Sequence, residues 1–366
     1  MNIEELKIKY TKIFNNNFWN MILNNLDKPL NWFTLSSNPN ITWDIIKNNP
    51  DKPWNWYSIS SSNPNITWDI IKNNPEQPWN WYYISYNPNI TWDIIQENPN
   101  KPLHLCGISS NISPEIVNNN PDKPWVWYWI SANPNINWDI IKNNSDKPWV
   151  WSSISANPNI TWEIVKNNPT KPWNFDYLSK NPNITWEIIE NNLDKPWNWF
   201  WLSENPNITW EIIKNNPDKP WHWYFVSKNP NITWNIIQNN LNEFWDWNNL
   251  SSNPNITWEI ITSNSDKLWY WYGISKNINL TYDIIQKNLN KPWNWAFISA
   301  NNMSEGKKKW INTKIKKELY IKNVKRQLDS FLSHDICDII CNYINIEEKN
   351  NLNNLNNYIQ YYPFNE

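Results

Sequence analysis

Few side chains in this chain could make or break bonds. The three histidines are His104, His222 and His334, and the three cysteines are Cys106, Cys337 and Cys341. Nucleophilic or acid–base catalysis draws on such groups, or on paired carboxylates, converging in a cleft. Here the histidines fall in different copies of a repeat or in the tail that follows it. His334, Cys337 and Cys341 share one helix face at i, i+3 and i+7. A metal there would need a fourth ligand from elsewhere, with Asp338 the one nearby candidate. The recurring acids Asp44, Asp69 and Glu163 stand where a helix begins, and a carboxylate there favours the helix dipole. Three glycines leave no room for a phosphate-cradling loop. The expectation is a non-enzymatic chain with no catalytic residue, metal or cofactor.

What recurs is aromatic. Most copies carry Pro-Trp-x-Trp, followed by two positions that vary from copy to copy yet stay rich in rings. They supply the candidate partner contacts Tyr57, Tyr82, Tyr83, Tyr128, Trp129, Tyr177, Phe200, Trp201, Tyr224, Phe225, Tyr272 and Phe297. Variable but aromatic is the composition of a protein-binding stripe. Rings packed between neighbouring copies would look the same, so both readings stay open.

The frame that must position these rings is periodic. The Trp of Asn-Pro-Asn-Ile-Thr-Trp falls at Trp43, Trp68, Trp92, Trp138, Trp162, Trp186, Trp210, Trp234 and Trp258, mostly 24 residues apart. Tyr282 and Pro114 replace it once each, and Trp19 opens a worn first copy. About twelve copies span 18–302, the signature of a solenoid. In the copy from Pro39 to Ser60, Thr42 predicts an N-cap, Ile41 and Ile46 a hydrophobic staple, and Pro50 a stop. Asp51 and Pro53 predict a second helix start. Alternation at Ile41, Trp43 and Ile45 would also suit a β-solenoid, but Ile45-Ile46 breaks it and Pro53 sits inside the second run. The fold class expected is therefore all-α: an elongated solenoid of about twelve 24-residue units, each of two short α or 3-10 helices. No single unit buries enough to fold alone. With coils ~8–10 Å apart, the array would be a rod on the order of 100 Å long.

The string Ile-Ser-x-Asn-Pro-Asn-Ile-Thr-Trp-Glu-Ile-Ile resembles the leucine-rich repeat variant, which implies an α-helix and a 3-10 helix per coil without strands. Asn111-Ile112-Ser113-Pro114-Glu115 is the copy most similar to that family. Pro-Trp-x-Trp departs from it where the family has Val-Arg. The whole text is more specifically similar to Trp-rich repeat proteins of giant amoeba-infecting DNA viruses. That resemblance implies no activity. It implies a protein partner from the host and a place in the host cytoplasm or the virion.

Basic and acidic residues balance at 32 and 34, and the chain body ahead of Ser304 carries 22 and 26. Such a body lacks the electrostatic footprint of nucleic-acid binding. No run of apolar residues is long enough to span a bilayer, so no membrane partner is expected. An odd cysteine count with no disulfide framework fits a reducing compartment. After the repeats, Ile311, Ile315, Leu319, Val324 and Leu328 recur at helical spacing among lysines. The expected organisation is an N-terminal helical cap (1–17), the solenoid (18–302), a basic amphipathic C-terminal helical cap (303–345) and an Asn-rich tail (346–366). Phe331 to Ile344 faintly resembles the first helices of an F-box, with Ser333 where that motif has its turn proline. That resemblance implies a ubiquitin-ligase adaptor whose solenoid chooses substrates. A structural rod or virion component is the remaining alternative.

Overall fold

The computed structural model describes residues 2–110 and 112–328. Among these, every regular element is a helix, and most helices of the repeats begin at tryptophan. The F-box-like segment, the His334/Cys337/Cys341 face and the Asn-rich tail lie outside the described residues.

Each repeat forms one coil of two helices. In the second coil these are Trp43–Lys47 and Trp56–Ser62. Thr42 caps the first as expected, its hydroxyl accepting the Ile45 amide. The second helix starts later than Asp51 and Pro53 predict. The Trp54 indole donates back to the Asn49 carbonyl at 2.8 Å, which holds Asp51 to Pro53 in the turn, and Asn55 takes over as N-cap. The helix is α, closing Ile59 N–H onto Asn55 C=O at 3.0 Å. So the 3-10 alternative is not used there.

Two layers of different bulk fix how coils stack. Trp79 of the third coil wedges against Trp43 and Trp56 of the second, with ring centroids 5.5 and 5.2 Å away. The same wedge recurs at Trp173, Trp221, Trp245 and Trp293. The second helices, by contrast, meet through small residues. Ser36 is fully buried, and its Oγ accepts the Asn55 amide of the next coil at 2.9 Å. Beside it, Asn63 donates to Ser36 and Ile41 carbonyls while its own Oδ1 accepts the Asn65 amide. The side-chain polar atoms of Ser36 and Asn63 thus each gain a partner, which burial demands. Indoles spread one side of the stack and serines tighten the other, so the stack must curve.

It curves until it closes. Asn38 of the first coil donates to the Ser299 and Asn301 carbonyls of the twelfth, at 2.9 and 3.0 Å. The Asn31 amide reaches Ser299 Oγ, and Asn40 reaches the Asn302 carbonyl. These repeat the bonds between most successive coils, as of Asn63 to Ser36 and Asn65 to Pro39. On the other layer Asn17 donates to the Tyr282 hydroxyl, and buried Asn40 and Asn15 both accept from Lys307. The all-α repeat of 24-residue coils stands, but its elongation does not: coils of the unit Asn15–Lys307 form a closed ring. A full turn shared among twelve coils is about 30° each. The second helices pack side by side, Trp32–Ser36 against Trp295–Ala300 included. In a ring the tighter layer is the inner one.

Among the described residues, the remaining compact unit pairs residues 2–14 with 308–328. Leu6, Ile311 and Ile315 form its core, flanked by Tyr10, Trp310 and Leu319. Lys9 and Tyr10 both engage Glu318. The two segments expected as separate caps for two open ends share one core, and the ring leaves no open end.

Candidate partner-binding surface

The two variable positions of each second helix have different fates. The first of them stands out from the coil: Tyr57, Tyr82, Tyr128, Phe200, Tyr224 and Tyr272 are 41–57% exposed. The helix places it at the second residue, one residue past the indole that packs against the first helix. The second position turns toward the neighbouring coil. Tyr83, Trp129, Trp201, Phe225 and Phe297 are half-buried there. Tyr177 keeps 41% exposure because the coil before it offers only Ser152 and Ser153. The first position is thus exposed, and inter-coil packing, one of the two readings left open by the sequence, describes the second.

The rings brace one another across coils. Tyr57 meets Tyr83 at 3.7 Å and Phe33 at 5.8 Å. Tyr86 bridges Tyr82 and Trp129. Phe200, Trp201, His222 and Phe225 form a second cluster, and Tyr272 meets Phe297 edge-on at 4.5 Å. Hydrogen bonding to Tyr57 raises the Tyr83 phenol, and burial raises that of Tyr86. Both stay neutral at physiological pH.

Lysines complete the surface, and the sequence reading missed them. Lys180 lies 3.1 Å over the Trp201 ring, Lys228 4.6 Å over Tyr224, and Lys276 4.1 Å over both Tyr272 and Phe297. They occupy x, the residue after the recurring Ser; Lys228 and Lys276 follow Tyr224 and Tyr272 by one helical turn, whereas Lys180 reaches Trp201 of the next coil. Comparing copies at x, as at the aromatic positions, would have found them. Tyr86 was missed for the same reason, whereas Phe33 stands at the first variable position of the worn first copy and Tyr270 between Trp269 and Trp271.

His104 and Cys106, treated separately in the sequence, are together. The Cys106 amide donates to His104 Nδ1 at 3.1 Å, which leaves the ring proton on Nε2, 4.0 Å from the sulfur. Tyr82 packs on the imidazole. His222 is likewise packed among rings, with its Nδ1 buried and unpartnered. No group of three or more His, Cys, Asp or Glu able to hold a metal occurs among the described residues. No helix among them is long and apolar enough to cross a membrane.

Compared with known protein families, curated proteins and solved structures, the chain matches none.

Proposed function

We propose that this protein is a non-enzymatic scaffold that binds another protein through the exposed rings of its second helices. The observation that carries this reading is the pairing of exposure with bracing. Tyr57 is 41% exposed, yet rings of both neighbouring coils flank it. An aromatic side chain already held in one orientation loses little entropy on binding, and such anchors dominate protein interfaces. A stripe serving only to join coils would need no ring at the outward position. If the giant-virus resemblance holds, the partner belongs to the host and the meeting place is its cytoplasm or the virion.

Photo-crosslinking tests this. A benzophenone amino acid at Tyr128 should trap a discrete protein, and replacing Tyr57, Phe200 and Tyr224 with serine should abolish the adduct at unchanged melting temperature. Adducts no different from those made at Lys142, on a first helix, would overturn the reading.

A further inference from the structure

The braced band of rings lapses at Cys106 and Gly107, at Ser152 and Ser153, and again beyond Phe225. Between Trp223–Val226 and Trp271–Lys276 the variable positions hold Asn248, Asn249 and Gly273 instead of rings. A recess of about 930 Å³ opens there, walled by aromatics that include Trp245 and Tyr270. Its polar equipment is lopsided. Lys228 and Lys276 line it, each ammonium resting on ring faces and neither paired with a carboxylate among the described residues. The one acid in the wall, Asp246, already spends Oδ1 on the Asn249 amide as a helix cap. Asn249 is used in turn, donating to the Tyr224 carbonyl. Asn248 is different: its Oδ1 is buried with no hydrogen-bond partner. A buried acceptor left unmatched is costly, and a ligand N–H or O–H would relieve it.

Two ammonium groups need acid, the amide oxygen needs a donor, and aromatic walls accept an apolar or planar backbone. We infer that the recess seats an acidic extended segment of a partner protein, its carboxylates on Lys228 and Lys276 and one backbone N–H on Asn248 Oδ1. This inference rests on the scaffold reading above and names the chemistry of its partner. Lys228 and Lys276 stand two coils apart, roughly 16–20 Å at ordinary helix spacing. An extended chain covers that in about five or six residues, so a strand with acids at such an interval reaches both.

The test is fluorescence anisotropy on the full chain with a labelled, capped dodecapeptide alternating Glu and Thr. We expect binding that weakens at least tenfold in the Lys228→Gln/Lys276→Gln double variant, and severalfold in Asn248→Ala. Raised salt should shrink the lysine effect and spare that of Asn248. Equal binding of the matching Gln–Thr peptide, no binding of the Glu–Thr peptide, or a double variant that binds normally would overturn it. So would citrate or inorganic phosphate binding as tightly as the peptide, which would give the recess to small anions. If crosslinking at Tyr128 still traps a partner while the acidic peptide fails, this inference falls and the scaffold stands. If the peptide binds in the recess and no ring-dependent adduct forms, the stripe reading falls instead.

Discussion

Asn38 and Ser299 are 261 residues apart, and the side-chain amide of one donates to the backbone carbonyl of the other at 2.9 Å. Asn63 and Ser36 make the same bond at 2.9 Å between adjacent coils. Closure therefore needs no special lock; the last interface is another copy of the interfaces before it. A stack whose coils turn too little or too much would leave Asn38 facing water, where its amide would contribute nothing.

That equivalence is measurable. Asn38→Ala should destabilise the ring about as much as Asn63→Ala, each by ~2–4 kcal/mol, because each leaves buried carbonyls without a donor. Urea unfolding monitored by tryptophan fluorescence gives both values. In an open stack Asn38→Ala would cost close to nothing. The Asn31 amide, held by Ser299, should also resist hydrogen exchange as well as the Asn55 amide held by Ser36.

The small residues of the inner layer make a second prediction. A Cβ on Gly107 would lie 2.2 Å from the Ser85 carbonyl carbon, and one on Gly273 would lie 2.3 Å from the Asn248 carbonyl oxygen. Backbone cannot yield as a side-chain tip can. Gly107→Ala and Gly273→Ala should each cost ~2–3 kcal/mol or more, against the few tenths expected of Ser152→Ala on an open face. Thermal melts of the three variants decide it.

Much of this was readable beforehand, and the limits have physical causes. Thr42 as cap and Trp43 as marker followed from local rules, since capping chemistry depends on neighbours in sequence. Closure did not follow. The angle per coil comes from the difference in bulk between Trp79 on one layer and Ser36 on the other, a few degrees of which decide between rod and ring. The serine could have been noticed: Ile-Ser or Leu-Ser recurs at Ser36, Ser60, Ser85 and onward to Ser299 without exception but for Val226-Ser227. A small residue held fixed through so many otherwise varied copies marks a close approach. The division of the stripe into outward Tyr57 and inward Tyr83 positions depended on which way the helix faces its neighbour, and composition alone carries no such direction.

That division yields a third prediction. Tyr128→Ser and Phe200→Ser remove rings that stand in solvent, and should shift stability by within about 0.5 kcal/mol. Trp129→Ser and Phe225→Ser remove rings wedged against Tyr86 and Trp201, and should cost ~1–3 kcal/mol. Equal losses at both positions would mean that the outward rings are structural after all, and would remove the ground for the scaffold reading. Differential scanning calorimetry on the four single variants separates the outcomes.

The seam between first and last coils carries its own pH signature. Burial pushes the Lys307 ammonium down from 10.5 to about 8, although Asn15 and Asn40 both accept from it. Between those two values the unfolded chain holds a proton that the folded chain has released, so stability rises with pH across this window. Below pH 8 both states are charged, and the folded one bears the cost of the buried charge. Tyr282, at the same seam, acts in the opposite sense: burial pushes its phenol from 10.0 up to about 12. There the folded chain keeps the proton longer, and stability falls from pH 10 toward 12. The two effects together place a maximum near pH 10, with a gain of about 2–3 kcal/mol over pH 8 if Lys307 alone titrates in the interval. Urea midpoints at pH 7.5, 9, 10 and 11.5 should trace that rise and fall. Lys307→Met should flatten the rising limb and leave the falling one, since Tyr282 is untouched. A wild-type curve that is flat from pH 8 to 10 would show that the ammonium is better solvated than its place between Asn15 and Asn40 implies.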